Sequence, residues 1–318
     1  MTLIVSGSLA IDRIAEHKGK FSSAILPANL DILNVSFLVE SVNVVQGGTA
    51  GNIAYNLTFL DEKPLIIGAL GGDGEGNRYL ERIKRWGLST EAIQVVNDLP
   101  TAGAYIATDE SQSQLSFFHS GAMTAPRKGD PLKSLSPNAS EHLAIVSPGG
   151  LGDMFAMPKL YKEKGIKYIF DPGQQTPLFS KEEFIELLDG SCLLMTNEYE
   201  LSLVLDKKKL TIDDLLSHTQ AIVTTKGEKG SVLTTPEGSL DIQPVKIRKV
   251  INSTGAGDAY RAGVLKALYY NKELLSACRL GAAVASFCVE APGTQEQIFS
   301  LHLALEKVRE TFGETISF

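Results

Sequence analysis

The chain has 318 residues, 43% of them hydrophobic and 21% charged, with a formal net charge of −7. That balance describes a globular protein with apolar surface for one large α/β domain or roughly two smaller ones, and it argues against a nucleic-acid partner, whose footprint is normally basic. Cys192, Cys278 and Cys288 form no CxxC pair, the five histidines show no metal-ligand spacing, and the longest apolar stretches fall well short of a membrane span; the expectation is a soluble, reduced, cytoplasmic protein with no membrane partner.

The opening residues Thr2-Leu3-Ile4-Val5-Ser6 lack the basic leader of a signal segment and are expected to form the first buried strand. From there the chain alternates short β-branched runs with helical patterns, which predicts a mainly parallel sheet covered by helices. Residues 3–6, 64–68, 143–147, 167–171, 192–196 and 221–225 read as strands, and 50–60, 73–86, 154–164, 198–205, 262–270, 274–288 and 301–311 as helices. Residues 230–235 and 239–242 flank Pro236-Glu237-Gly238 as a hairpin. A strand-like run over 245–250 leads into Asn252-Ser253-Thr254-Gly255-Ala256-Gly257-Asp258 and the helix beyond.

Two stretches break the rhythm. Residues 31–45 alternate apolar positions (Ile32, Leu33, Val35, Phe37, Val39, Val42, Val44), and 104–108 with 115–119 form two short strands around a polar turn. Neither has a helical period, so both are expected in a small β lid over the sheet's C-terminal edge. The chain divides on this reading into an α/β core (1–12, 48–98 and 122–318) and a β lid (13–47 and 99–121). The lid carries more apolar residues than one covered face needs, and pairing two lids in a homodimer would bury the surplus.

Ligands of open α/β sheets bind beyond the C-terminal strand ends, and here those ends carry small or polar groups. They are Ser8 and Asp12; Gly47-Gly48-Thr49-Ala50-Gly51-Asn52; Gly68 onward to Gly76; Asp171-Pro172-Gly173-Gln174-Gln175; Asn197-Glu198-Tyr199-Glu200; and Thr225-Lys226-Gly227-Glu228-Lys229-Gly230. No GxxxxGK[ST] loop and no GxGxxG after a strand is present, which argues against a P-loop NTPase and a nicotinamide dehydrogenase. The segment from Thr254 to Asp258 combines glycines that let an anion approach the backbone with the unpaired amides of a helix start. Asp258 is either a general base for phosphoryl transfer or an ordinary helix cap. Glu198 and Glu200 equally suit a helix start, Gln174-Gln175 a solvated loop, and one of Phe117 and Phe118 faces a pocket because strand neighbours point oppositely.

In this order the motifs resemble the ribokinase-like (PfkB) carbohydrate and nucleoside kinases over essentially the whole chain. Gly7 to Asp12, residues 36–39, Gly121-Ala122-Met123, Asp171 to Gln175, Tyr260-Arg261-Ala262-Gly263 and Gly293-Thr294-Gln295-Glu296 are most similar to the bacterial adenosine kinases. The resemblance implies ATP- and Mg²⁺-dependent phosphorylation of the 5′-hydroxyl of adenosine, with K⁺ as a companion ion. Another nucleoside or a sugar is the alternative acceptor, and a non-catalytic nucleoside-binding protein is the reading from outside enzymology. Asp258 is then the expected base and Gly255, Ala256 and Gly257 the anion hole. Ser8, Asp12, Ser36, Gly48, Asn52, Phe118, Gln174 and Gln175 are expected at the nucleoside. Asn197, Thr225, Gly227, Gly230 and Gly257 are expected at ATP, and Glu200 at Mg²⁺ through water. Asn252 stands where the family has Asp, and Ala104 where the adenosine kinases have an aromatic.

Overall fold

A computed structural model describes residues 2–23, 25, 34–111 and 113–318, the side chain of Gln114 excepted. In chain order it has β1 (Thr2–Ser6), β2 (Ala10–Glu16), β3 (Ser41–Gly47), α1 (Thr49–Thr58), β4 (Leu65–Gly71), α2 (Gly74–Arg85), β5 (Ile93–Val96), β6 (Ala102–Thr108) and β7 (Gln114–His119). There follow β8 (His142–Val146), α3 (Leu151–Lys164), β9 (Lys167–Phe170), α4 (Lys181–Leu188), β10 (Leu193–Asn197), α5 (Glu198–Lys208), α6 (Ile212–Leu216) and β11 (Ile222–Thr225). The last elements are β12 (Ser231–Thr235), β13 (Gly238–Ile242), α7 (Ala256–Tyr269), α8 (Leu274–Val289) and α9 (Leu301–Phe312).

The large sheet runs β13-β12-β11-β10-β9-β8-β1-β4-β5. It is parallel from β5 to β11 and closes with the antiparallel pairs β11–β12 and β12–β13. Strands buried on both faces need apolar residues at consecutive positions, which is why β1 reads as an unbroken run. Leu3 and Val5 enter one core with residues of α1, α2, α7, α8 and α9, whereas Ile4 enters the other with residues of α3, α4, α5 and α6. The sheet is therefore sandwiched between two helical layers, each sealed by alternate strand residues.

On one layer α7 and α8 lie unusually close. A Cβ on Gly263 would meet Gly281 Cα at 2.7 Å, and one on Gly281 would meet the Tyr260 carbonyl oxygen at 2.8 Å. Only glycine at both positions allows that backbone contact. It locks α7, whose N-terminus faces the sheet edge, to the body of the molecule.

The second sheet, β3-β2-β6-β7, pairs β2 with β6 in parallel and both outer strands antiparallel. β2 begins at Ala10, so the small sheet starts inside the stretch 1–12 assigned above to the core. Of the alternation expected over 31–45, residues 31–33, with Ile32 and Leu33, lie outside the described residues, 34–40 carry no strand, and only Ser41–Gly47 pairs. Phe37 packs its ring against Phe21 and His17 instead.

The run 245–250 is not a strand. Its backbone is held from below by the end of α8: Arg248 N–H donates to Glu290 at 2.7 Å, and Ile251 N–H to the Val289 carbonyl at 2.9 Å. β-branched residues favour extended backbone, but residues 245–250 pair with no strand among the described residues. α7 begins at Ala256, six residues before the apolar periodicity that suggested 262, which puts Asp258 inside its first turn. The short elements β5, α4 and α6 were not anticipated, each being too brief to show a period. No described helix is long and apolar enough to cross a membrane.

Candidate active site

Gly255 opens α7 in the left-handed conformation (φ 80°) and is its N-cap, with no side chain capping the helix. Such a helix start leaves backbone N–H groups without intrahelical acceptors. Ala256 N–H is taken by the Ser253 carbonyl at 3.2 Å. Among the described residues, those of Gly255, Gly257 and Asp258 meet no acceptor. The open amides at this helix start are thus those of Gly255, Gly257 and Asp258, whereas the turn that enters the helix uses the Ala256 N–H, one of the three expected at the anion.

The Asp258 carboxylate does not cap its own helix. Its Oδ2 accepts from Asn52 Nδ2 at 2.8 Å, across from α1. Burial pushes the carboxyl up to about 7; Arg261 and the Asn52 hydrogen bond pull it down, while Asp171 and Asp12 add like charge. A half-buried carboxylate poised near neutrality beside open amides can take a proton while the amides hold an anion.

Asp12 lies on β2, in the small sheet, with its carboxylate against Gly47: a Cβ there would meet Asp12 Oδ2 at 2.5 Å. Burial pushes Asp12 up to about 6, opposed by Arg13. Gly48 (φ 86°) caps α1, and any Cβ on it would sit 2.5 Å from the Ser8 carbonyl oxygen. Gly48, Asp12, Asn52 and Asp258 are therefore gathered where α1 and α7 begin. Phe118 joins this side by register. Asp12 pairs with Ala104, and Ala104 with Phe118, so the three share one face of the small sheet. The aromatic missing at Ala104 is present one strand over, and the small Ala104 leaves room beside it.

Other expected residues fall differently. Ser8 is 7% exposed and its hydroxyl accepts from Thr49 N–H at 2.9 Å, holding the start of α1 from beneath. Ser36 is exposed in the stretch ahead of β3 and joins none of the site's hydrogen bonds. Gln174 is exposed; Gln175 donates to the Gly149 carbonyl, and its Oε1 is without a partner among the described residues.

Asn197 and Glu200 form a reciprocal capping box on α5: Asn197 Oδ1 accepts from Glu200 N–H and Glu200 Oε2 from Asn197 N–H, both at 2.8 Å. Asn197 and Thr225 are register partners at the ends of β10 and β11, and Gly227 (φ 57°) and Gly230 (φ 85°) shape the turn that follows. Burial raises the Glu200 carboxyl, with Asp171 adding and Arg261 opposing. No group of three or more His, Cys, Asp or Glu side chains with metal-binding geometry occurs among the described residues. The glycines of 68–76 are scaffold: Asp73 caps α2 through Gly76 N–H at 2.7 Å and holds Thr101 N–H at 2.8 Å, joining the core to the root of β6.

The profile of the family described as pfkB family carbohydrate kinase matches residues 4–299. The chain belongs to that family. It is 31% identical over 278 residues to the nucleoside kinase of Methanocaldococcus jannaschii, covering 87% of this chain and 90% of that one. The nucleoside kinase of Burkholderia thailandensis, solved in complex with inosine, superposes with a TM-score of 0.85 at 31% identity, covering 99% of this chain and 100% of that one. Its complex with ADP-inosine gives 0.82 at 32%, covering 99% and 97%. The ribokinase-like fold expected from the motifs is the one present.

This pfkB-family kinase also uses residues that motif reading did not assign to the site. Arg261 pairs with the buried Asp171, Nη2 lying 2.7 Å from Oδ1 with a second contact through Nε, and its Nη1 donates to the Gly257 carbonyl at 3.0 Å. Asp171, Asp258 and Glu200 together outweigh the cost of burying its charge and hold the guanidinium protonated. The only sequence signal for the pair was the i, i+4 spacing of Gly257 and Arg261, which says nothing of a strand end 90 residues away. Asn252 donates Nδ2–H to the Pro292 carbonyl at 3.0 Å and accepts from Thr254 N–H at 2.8 Å. An ionised Asp could supply only the second of these.

Proposed function

We propose that this kinase transfers the γ-phosphoryl group of ATP to the 5′-hydroxyl of a nucleoside, with adenosine among its acceptors. The observation that carries it is Asp258, set in the first turn of α7 among three open amides and held by Asn52 instead of by its own helix. Asp258 takes the hydroxyl proton, the oxygen attacks the γ-phosphorus and ADP departs, while the amides of Gly255, Gly257 and Asp258 meet the developing charge. Asp12, Gly48 and Asn52 hold the ribose diol, as a carboxylate, an open backbone and a carboxamide suit vicinal hydroxyls. Phe118 lies on the face from which a base could be stacked, and Gln174 and Gln175, in the turn after β9, are the proposed polar partners of that base.

ATP lies along Asn197, Thr225, Gly227 and Gly230. Mg²⁺ would supply charge neutralisation of the phosphates. Asn197 and Glu200 would be its outer partners, since such an ion keeps most of its water. Cys192, Cys278 and Cys288 are free thiols, which fits a reducing cytoplasm.

Coupled ADP release tests the reading, with adenosine, inosine, guanosine, ribose and fructose compared with and without K⁺. Turnover confined to sugars would sink the nucleoside assignment. A second reading, a purine nucleoside kinase with inosine preferred, draws on the inosine complexes of the Burkholderia relative, and the same panel decides it. Binding without turnover under every condition would instead support a nucleoside-binding protein.

The face of the small sheet opposite Asp12 exposes Val42 and Val44 beside Tyr105 and Phe117, 51–71% accessible. We propose that two lids pair through it in a homodimer. A monomer mass by sedimentation at micromolar concentration would reject the pairing.

A further inference from the structure

We infer that Gln295 is a positioning residue that fixes which way the Asn52 carboxamide faces, so that its NH₂ group always points at Asp258. The inference rests on the reading of Asp258 as the base. It starts from a chain of hydrogen bonds with a single polarity. The Gly47 carbonyl can only accept, and it takes the Tyr79 hydroxyl proton at 2.6 Å. The Tyr79 oxygen is thereby left as an acceptor, filled by Gln295 Nε2 at 2.9 Å. The other Nε2 proton goes to Asn52 Oδ1, also at 2.9 Å. With its oxygen occupied, Asn52 presents Nδ2 to Asp258.

The reverse polarity fails at both ends. It would strip the Tyr79 proton from the Gly47 carbonyl and press Asn52 Oδ1 against an ionised carboxylate. Asn52, Tyr79 and Gln295 are 5%, 0% and 3% exposed, so water does not substitute for a lost link. Gly51 makes the approach possible, since a Cβ there would lie 1.8 Å from the Tyr79 oxygen. One turn along α1, Gln297 Nε2 donates to Asn56 Oδ1 at 2.9 Å with the same burial, and Asn56 in turn donates to the Asn52 backbone carbonyl at 2.9 Å, so this pair does not touch the Asn52 carboxamide. It is a built-in control.

The charged and titratable groups around Asp258 are Arg261 on its own helix, Asp171 after β9, Asp12 on β2, Tyr79 on α2 and Cys288 on α8. Of these, Tyr79 alone touches Gln295, through the hydrogen bond that lowers its phenol. The test is the pH profile of kcat/KM with whichever nucleoside turns over. Gln295→Leu and the isosteric Gln295→Glu should each move the acid limb upward by roughly half to one pH unit, so activity at pH 6 falls about three- to tenfold while that at pH 8.5 stays within about twofold. Tyr79→Phe should shift it the same way by less, and Gln297→Leu should lower thermal stability with the limb in place. Carboxyl ¹³C titration of Asp258, assigned by its loss in Asp258→Asn, reads the same shift without turnover. Phosphotransfer by Asp258→Asn would overturn the base assignment and this inference together. An inactive Asp258→Asn with unmoved limbs and titrations in both Gln295 variants would overturn the inference alone.

Discussion

Asn52 and Asp258 stand 206 positions apart in the chain and meet at 2.8 Å, the amide nitrogen of one against the carboxylate of the other. The bond joins the first turns of α1 and α7, the two helices whose N-termini bound the site. It opposes burial, which alone would keep Asp258 protonated. Asp258→Asn should therefore lower kcat by about 10²–10⁴-fold, the usual worth of a positioned base, with nucleoside affinity nearly kept. Steady-state kinetics and calorimetric binding on the same preparation separate the two.

The same carboxyl makes stability depend on pH with a definite sign. Its folded pKa, about 7, lies above the unfolded value near 4. The fold thus favours the protonated form, and that contribution, complete below about pH 4, is lost as pH rises through 7. Asp258→Asn removes the loss. The variant should melt roughly 2–5 °C above the parent at pH 8, the gap being modest because the group keeps some solvent, and should converge with it near pH 4.

Arg261 closes a buried pair, and one partner without the other should cost more than both removed. Arg261→Met leaves the Asp171 carboxylate unpaired at 1% exposure, a loss of about 3–5 kcal/mol. Asp171→Leu combined with Arg261→Met should recover much of it in urea melts. Arg261→Met alone should also move the acid limb of kcat/KM upward, since Arg261 is the largest influence holding Asp258 ionised.

Gly48 and Gly87 have similar backbones, φ 86° and 76°, but a Cβ on Gly48 meets the backbone of Ser8 and Ala10 whereas one on Gly87 meets nothing within 4 Å. Alanine at Gly87 should cost about 1 kcal/mol, the conformational part only. Alanine at Gly48 should cost roughly 2–4 kcal/mol and raise KM for the nucleoside, because Asp12 and Asn52 sit on either side of that turn.

Phe118→Ala should raise KM for nucleosides about tenfold and leave KM for ATP within twofold, as expected for an aromatic that stacks only on the acceptor's base. Phe117→Ala, on the opposite face, should leave both constants unchanged and weaken self-association instead. Equal effects of the two changes on KM would remove Phe118 from the acceptor side.

The layered architecture was legible because parallel strands buried on both faces must be apolar throughout. Leu3-Ile4-Val5 announces this without any partner in view. The glycines at 47–48 and 255–257 were legible for a related reason, since a positive φ or a close approach leaves few residue choices. The small sheet was read less well. β2 was hidden because Asp12 and Arg13 interrupt its alternation, one facing the site and the other bonded to Glu75 of α2. The run 245–250 misled because its residues suit a strand while its backbone partner is the end of a helix. Polar contacts between distant segments had no local signal at all. Nothing near Gln295 tells of Asn52, and nothing near Arg261 tells of Asp171.

α7 and α8, pinned together at Gly263 and Gly281, have a consequence for how the molecule is made. They cover the face of the sheet to which Leu3, Val5 and Ile66 belong, yet they lie in the last quarter of the chain. While the protein is being synthesised, the first strands can pair long before their cover has left the ribosome. With only α1 and α2 in place, that nascent sheet leaves the rest of this apolar face bare through most of translation, the kind of surface on which chains aggregate and chaperones act. The meeting of Asp258 with Asn52 and protection from aggregation therefore arrive in one late event, when α7 docks.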